Sequence, residues 1–158
     1  ANLTAVAFYP KTLASTDELP DGGHVTLPAE AANLGRALQM LAEADILTLD
    51  PDVEKFQATM DDIEDNPRDL EFVQVELLQA NAAYEESDAV FNLPAFAKQI
   101  DLSPFDDGLT LEEDPEFAVT LVTREEDQDS PETQALIEAF TSGQVQEVLK
   151  EFESTPAF

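Results

Sequence analysis

The 158-residue sequence contains no cysteine. That excludes disulfides, thiolate metal sites and cysteine nucleophiles. Tryptophan is also absent, and histidine occurs once, at His24. No second histidine exists to complete a metal-binding pair, and no Ser-His-Asp constellation can be assembled around His24. The five glycines form neither a GxGxxG nor a Walker-type loop, so the usual phosphate cradles are missing. No apolar run approaches the ~20 residues that a membrane-spanning helix needs. Ala1 opens directly on a strand-like pattern with no signal peptide before it, so any leader is expected upstream of these residues.

Basic residues are the scarcest class relative to their partners. Seven Lys plus Arg face 35 Asp plus Glu, a formal net charge of −28. A field of that sign repels nucleic-acid phosphates and anionic lipid headgroups, which removes both as partners. The acids are spread along the whole chain instead of forming one tail. This fits a high-salt or surface-exposed habitat, where a carboxylate-rich surface stays hydrated and its repulsion is screened. An acidic surface made for a basic partner is the alternative. Apolar residues make up 43% of the chain, with ten Phe, enough to build a core and to argue against wholesale disorder.

Strand and helix patterns alternate. Leu3, Ala5, Ala7 and Tyr9 interleave with Thr4, Val6 and Phe8, which predicts a strand covered on both faces. Ser15 to Leu19 reads as a capped single turn, and Asp21-Gly22-Gly23 as a tight turn. A short strand over 24–27 precedes a helix over 29–44, with Leu34, Leu38 and Leu41 on one stripe. A short extended piece follows at 46–49. Further strands are predicted at 71–76, 89–91, 109–111 and, most strongly, 117–123. Helices are predicted at 77–86, 93–100, 131–140 and 143–152. Ser130 fits an N-cap, with Pro131 at the first helical position. The alternation argues an α/β architecture with a mixed or parallel sheet.

The acidic clusters at 61–65, 112–114 and 125–127 lack the spacing of a calcium loop, and neighbouring acids point different ways. They read as solvated surface, Glu112 included. Arg36 stands out more. It lies in Asn33-Leu34-Gly35-Arg36-Ala37-Leu38, early in a predicted helix, beside a glycine that costs that helix about 1 kcal/mol against alanine. A glycine there suggests that something approaches the helix closely. A guanidinium holds a carboxylate through two parallel hydrogen bonds. The plainer reading is an arginine paired to one of the many acids. Asn92 follows the buried-looking Ala89-Val90-Phe91 at the carboxyl end of a predicted strand, where open α/β sheets bind ligands. Its amide suits either an N-cap or an amino-acid ligand. The expectation is that Arg36 sits at a concave face close to Asn92.

Five stretches in order resemble the NlpA/MetQ-type lipoproteins, the methionine-binding subunits of ABC importers. They are Ser15-Thr16-Asp17-Glu18-Leu19-Pro20-Asp21-Gly22, Asn33-Leu34-Gly35-Arg36-Ala37-Leu38, Glu64-Asp65-Asn66-Pro67, Ala89-Val90-Phe91-Asn92, and Val122-Thr123-Arg124-Glu125-Glu126-Asp127 through Ser130-Pro131. The resemblance implies a periplasmic-binding-protein-like α/β fold of type 2, with one complete lobe and part of the other. It divides the chain into a crossover strand and hinge at 1–16, a whole lobe at 17–103, and a return into the partial lobe at 104–158.

It further implies a non-enzymatic role without cofactor or metal. The chain would hold methionine or a related amino acid between two lobes, for delivery to an ABC permease outside the cytoplasm. The only tie to a membrane would be a lipid anchor not present in this chain. Arg36 would grip the ligand carboxylate and Asn92 its backbone, with Asn33 in the same motif as Arg36. Two departures stand out. Where the family has a ligand-binding Asn, this sequence has Val119, and the family's opening βα segment has no counterpart here. A binding-incompetent acidic surface or adaptor protein that kept the fold is the competing reading. A hydrolase lacks any nucleophile–base pair to support it.

Overall fold

A strand that is apolar on every residue must be covered on both faces, and that requirement organises the structure, a computed structural model describing residues 2–152 and 154–156. In chain order the elements begin with β1 (Asn2–Thr4), β2 (Val6–Pro10) and β3 (His24–Pro28), then α1 (Ala31–Glu43). The short strands β4 (Thr48–Leu49) and β5 (Ile63–Asp65) and the strand β6 (Glu71–Val75) follow. Next come α2 (Ala80–Ala83), β7 (Ala89–Asn92), α3 (Pro94–Ala97), α4 (Pro104–Asp107) and β8 (Thr110–Glu112). The chain closes with α5 (Pro131–Phe140), α6 (Gly143–Glu151) and β9 (Ser154–Pro156). Ala1, which the expected crossover segment includes, and Glu153, Ala157 and Phe158, which the expected return includes, lie outside the described residues.

The chain divides into two compact units, Val6–Glu112 and Ala1–Ala5 with Glu113–Phe158. The strand predicted over 3–9 is divided at the same place: β1 belongs to one unit and β2 to the other.

The Val6–Glu112 unit is built on a five-stranded mixed sheet in the order β6-β3-β7-β2-β8. β6, β3 and β7 run parallel, and β2 is antiparallel to both β7 and β8. Val6 and Phe8 pack on one face with Leu34, Ala37, Leu38 and Leu41 of α1, together with Val25, Leu27 and Phe91. Phe8 and Phe91 meet edge to face with ring centroids 5.7 Å apart. Ala7 and Tyr9 face the other way, against Ala97 of α3. The predicted stripe of α1 is thus its buried face. The helix predicted over 77–86 is instead α2 flanked by two 3-10 turns, at Leu77–Gln79 and Tyr84–Glu86.

The second unit has a two-stranded sheet, β1 with β9, plus α5 and α6. Ser130 caps α5, its hydroxyl accepting from the Thr133 amide at 3.1 Å. The strand predicted most strongly, 117–123, does not form. A single antiparallel bridge joins Val119 to Asn2, and residues 120–124 carry no strand pairing. A strand needs a ladder, and among the described residues nothing supplies one there.

Seven cations cannot neutralise 35 acids, so most carboxylates here answer only to water and to one another. The thermal midpoint is therefore expected to rise by several degrees between 0.1 and 1 M potassium chloride, as the Debye length falls from about 10 Å to about 3 Å. A flat or falling series would show the acids to be spaced harmlessly.

Candidate functional site

The carboxyl ends of parallel strands are where open α/β sheets present their ligand-binding groups. In the Val6–Glu112 unit, Asn92 is the last residue of β7 and Glu112 the last of β8, and both strands run antiparallel to β2. The two side chains therefore sit at the same end of the sheet. Directly opposed residues of an antiparallel pair share a face. Glu112 is opposite Val6, on the face covered by α1, whereas Asn92 is opposite Ala7, on the other face.

Arg36 reaches Glu112 from α1. Its Nε donates to Glu112 Oε2 at 2.6 Å, and its Nη2 forms an ion pair with the same oxygen. Both side chains are only 7% exposed, so the pair is held away from water, where truncating one partner strands the other charge. Glu112 corrects the sequence reading, which treated it as solvated surface with Glu113 and Asp114. Glu113 is exposed, but Glu112 faces inward because its register with Val6 turns it toward α1.

Gly35 owes its place to a neighbour in the fold. A Cβ on it would lie 1.9 Å from the Phe56 carbonyl oxygen and 2.6 Å from the Phe56 carbonyl carbon. The close approach expected at this glycine is thus made by the chain's own loop.

Asn92 is 3% exposed and hydrogen-bonded on its own face. Its Nδ2 donates to Asn81 Oδ1 at 2.7 Å, its Oδ1 accepts from the Leu93 amide at 2.9 Å, and Asn81 in turn donates to the Phe96 carbonyl at 2.9 Å. The cap position of α3 itself is Leu93. Asn33 is half-buried in the first turn of α1. Arg36 and Asn92 thus share one end of the sheet, Arg36 reaching it from the α1 face and Asn92 lying on the other. A cavity of about 470 Å³ in this unit lies instead beside the carboxyl end of α1, lined by Gln39, Leu47, Asp50, Val53 and Lys55 among others, and by none of the three candidates. His24 is exposed, with its Nε2 3.3 Å from Glu71.

Sheet order, strand directions and polar groups at the carboxyl edge define an α/β protein of the open-sheet kind that presents a binding site at the ends of its strands. The chain belongs to the NlpA lipoprotein family, whose model matches residues 1–156. It is 35% identical over 153 residues to the methionine-binding lipoprotein MetQ of Bacillus subtilis, covering 94% of this chain and 56% of that protein. To the D-methionine-binding lipoprotein MetQ of Escherichia coli it is 32% identical over 146 residues, 90% of this chain and 53% of the relative. The chain spans about half the length of the curated relatives it matches.

Solved structures agree. A YaeC-family lipoprotein of Enterococcus faecalis superposes with a TM-score of 0.86 at 32% identity, over 99% of this chain and 67% of that one. A periplasmic substrate-binding protein of an ABC transporter from Coxiella burnetii gives 0.87 at 26% identity, over 99% and 67%. Among the described residues no helix is long and apolar enough to cross a membrane.

Proposed function

We propose that this chain is the substrate-binding component, or part of one, of an ABC importer for methionine or a related amino acid. It would work outside the cytoplasm with a membrane permease and do no chemistry. The observation that carries the reading is the buried Arg36–Glu112 pair at the carboxyl edge of the sheet, in a chain whose relatives are named as methionine-binding lipoproteins. The pair is a fixed dipole, and an α-amino acid head group is a dipole too. A ligand carboxylate would share the guanidinium, which carries five N–H donors, while the ligand ammonium answers Glu112. The Asn92 amide, reached from the other face, would hold the ligand backbone, and Asn33 would border the carboxylate. A zwitterion is net neutral, so the −28 field does not repel it as it would a simple anion.

A competing reading has a specific observation behind it. Glu112 already occupies Arg36, and Val119 offers no side-chain hydrogen bond where the resemblance expects an asparagine. Both would follow if the chain were a binding-incompetent acidic surface protein.

The test is a titration followed by nuclear magnetic resonance. L-Methionine is expected to shift the Arg36 Nε–H signal with a dissociation constant of millimolar order. Two charge-assisted contacts of about 1.5–3 kcal/mol each must offset several kcal/mol of lost ligand freedom. N-Acetylmethionine, which lacks the ammonium, and methionine methyl ester, which lacks the carboxylate, are each expected to bind more weakly still. An Arg36 signal that no amino acid moves at tens of millimolar would favour the binding-incompetent reading.

A further inference from the structure

A side-chain amide can turn end for end with little change of shape, so its partners decide which atom it presents. At Asn92 two backbone groups decide it. The Leu93 N–H can only donate, and it holds Asn92 Oδ1 at 2.9 Å. The Phe96 carbonyl can only accept, and it holds Asn81 Nδ2 at 2.9 Å. That leaves Asn81 Oδ1 to face Asn92 Nδ2, which donates to it at 2.7 Å. The three bonds form one directed chain from Leu93 through both amides to Phe96 in α3. Turning either amide, or both, would set like against like at two of the three contacts.

A carboxamide has two N–H donors and an oxygen with two lone pairs. The chain of bonds uses one of each on Asn92, so one N–H and one lone pair remain. Those are the two functions that an α-amino acid head group needs, a donor for its carboxylate and an acceptor for its ammonium.

We propose that Asn81 is a positioning residue, which fixes the sense of the Asn92 amide so that one N–H and one oxygen lone pair stay available to an amino-acid head group. The inference rests on the amino-acid reading, and Asn81 acts only through Asn92. A purely structural role for Asn81 is the plainer alternative, because its bond to Phe96 also ties α2 to α3. The two roles use different atoms. Oδ1 of Asn81 holds Asn92, whereas Nδ2 makes the tie.

The test compares the native chain with two variants. Asn81→Leu removes both bonds, and Asn81→Ala takes its place if the leucine variant does not fold. Asn81→Asp at neutral pH keeps an acceptor for Asn92 but can no longer donate to Phe96. Without ligand, nuclear magnetic resonance follows the Asn92 side-chain amide protons. Their exchange with water is expected to be slow in the native chain and in Asn81→Asp, and on the order of tenfold faster in Asn81→Leu. L-Methionine is then titrated against the Arg36 Nε–H signal. Its dissociation constant is expected to rise about tenfold in Asn81→Leu, the ratio that one net hydrogen bond is worth, and to return to within about twofold of native in Asn81→Asp. Asn92 protons that Asn81→Leu leaves unchanged overturn the proposal, and so does unchanged affinity. An equal loss of affinity in both variants overturns it too, because the tie between α2 and α3 would then be what matters. A native chain whose Arg36 signal no amino acid moves overturns the amino-acid reading and the ligand role of Asn81 with it, while the ligand-free spectra still decide whether Asn81 holds Asn92.

Discussion

Replacing Arg36 with alanine is expected to cost about 3–5 kcal/mol of stability, the usual penalty for leaving one member of a buried ion pair without its partner. The pair is the most enclosed of the described ion pairs. Both side chains are 7% exposed, whereas the Lys11–Glu85 pair has side chains 43% and 70% exposed. Removing the guanidinium strands the Glu112 carboxylate against α1, buried and without the charge it faces. A domain of this size holds only about 5–15 kcal/mol in all, so urea denaturation should show a large fall in midpoint. The double variant Arg36→Met with Glu112→Leu is expected to recover most of the loss, because it removes both charges and keeps the volume. If Arg36→Ala falls within about 1 kcal/mol of the native chain, the pair is wetter than its burial indicates and behaves as a surface salt bridge. A folded double variant also separates two roles. If it is stable but its spectrum no longer responds to methionine, the pair serves binding as well as folding.

Residues whose environment is fixed by local pattern were legible in the sequence. The stripe Leu34, Leu38, Leu41 defines the buried face of α1 without reference to anything else, and Ser130-Pro131 marks the start of α5 from two side chains. Residues whose role depends on register were not. Glu112 stands in a run with Glu113 and Asp114, and only its pairing with Val6 across two strands distant in sequence turns it inward. The same parity rule puts Asn92 on the other face from the Arg36–Glu112 pair at one end of the sheet, which the motifs alone do not show. The stretch 117–123 shows the reverse case. Its pattern is sound, but a strand is a property of two segments, and beyond Val119 the second is missing among the described residues. The family itself was legible, since five short motifs in order carry more information than any one of them.

Gly35 yields the other large effect, and its sign is the opposite of what helix propensity gives. In an exposed helix interior, alanine in place of glycine stabilises by about 1 kcal/mol. Here the new Cβ would lie 1.9 Å from the Phe56 carbonyl oxygen and 2.6 Å from its carbon, and both are backbone atoms that cannot swing aside. Phe56 is 5% exposed, and its φ of 66° is a left-handed conformation already costly for a non-glycine residue. The loop therefore has little room to retreat, and either it or α1 must shift bodily. Overpacking of this kind costs about 1–3 kcal/mol and sometimes more, so Gly35→Ala is expected to lose about 2 kcal/mol net of its helical gain. For a chain of this length that is a fall of about 4–8 °C in thermal midpoint. Arg36 is the next residue along the helix, so a shift of α1 would also move the guanidinium relative to Glu112. The methionine-induced shift of the Arg36 Nε–H signal should then weaken even in protein that remains folded. A Gly35→Ala chain that melts at or above the native temperature would mean that the Phe56 loop yields freely. The glycine would then have to be explained by something outside the fold, a ligand being the first candidate.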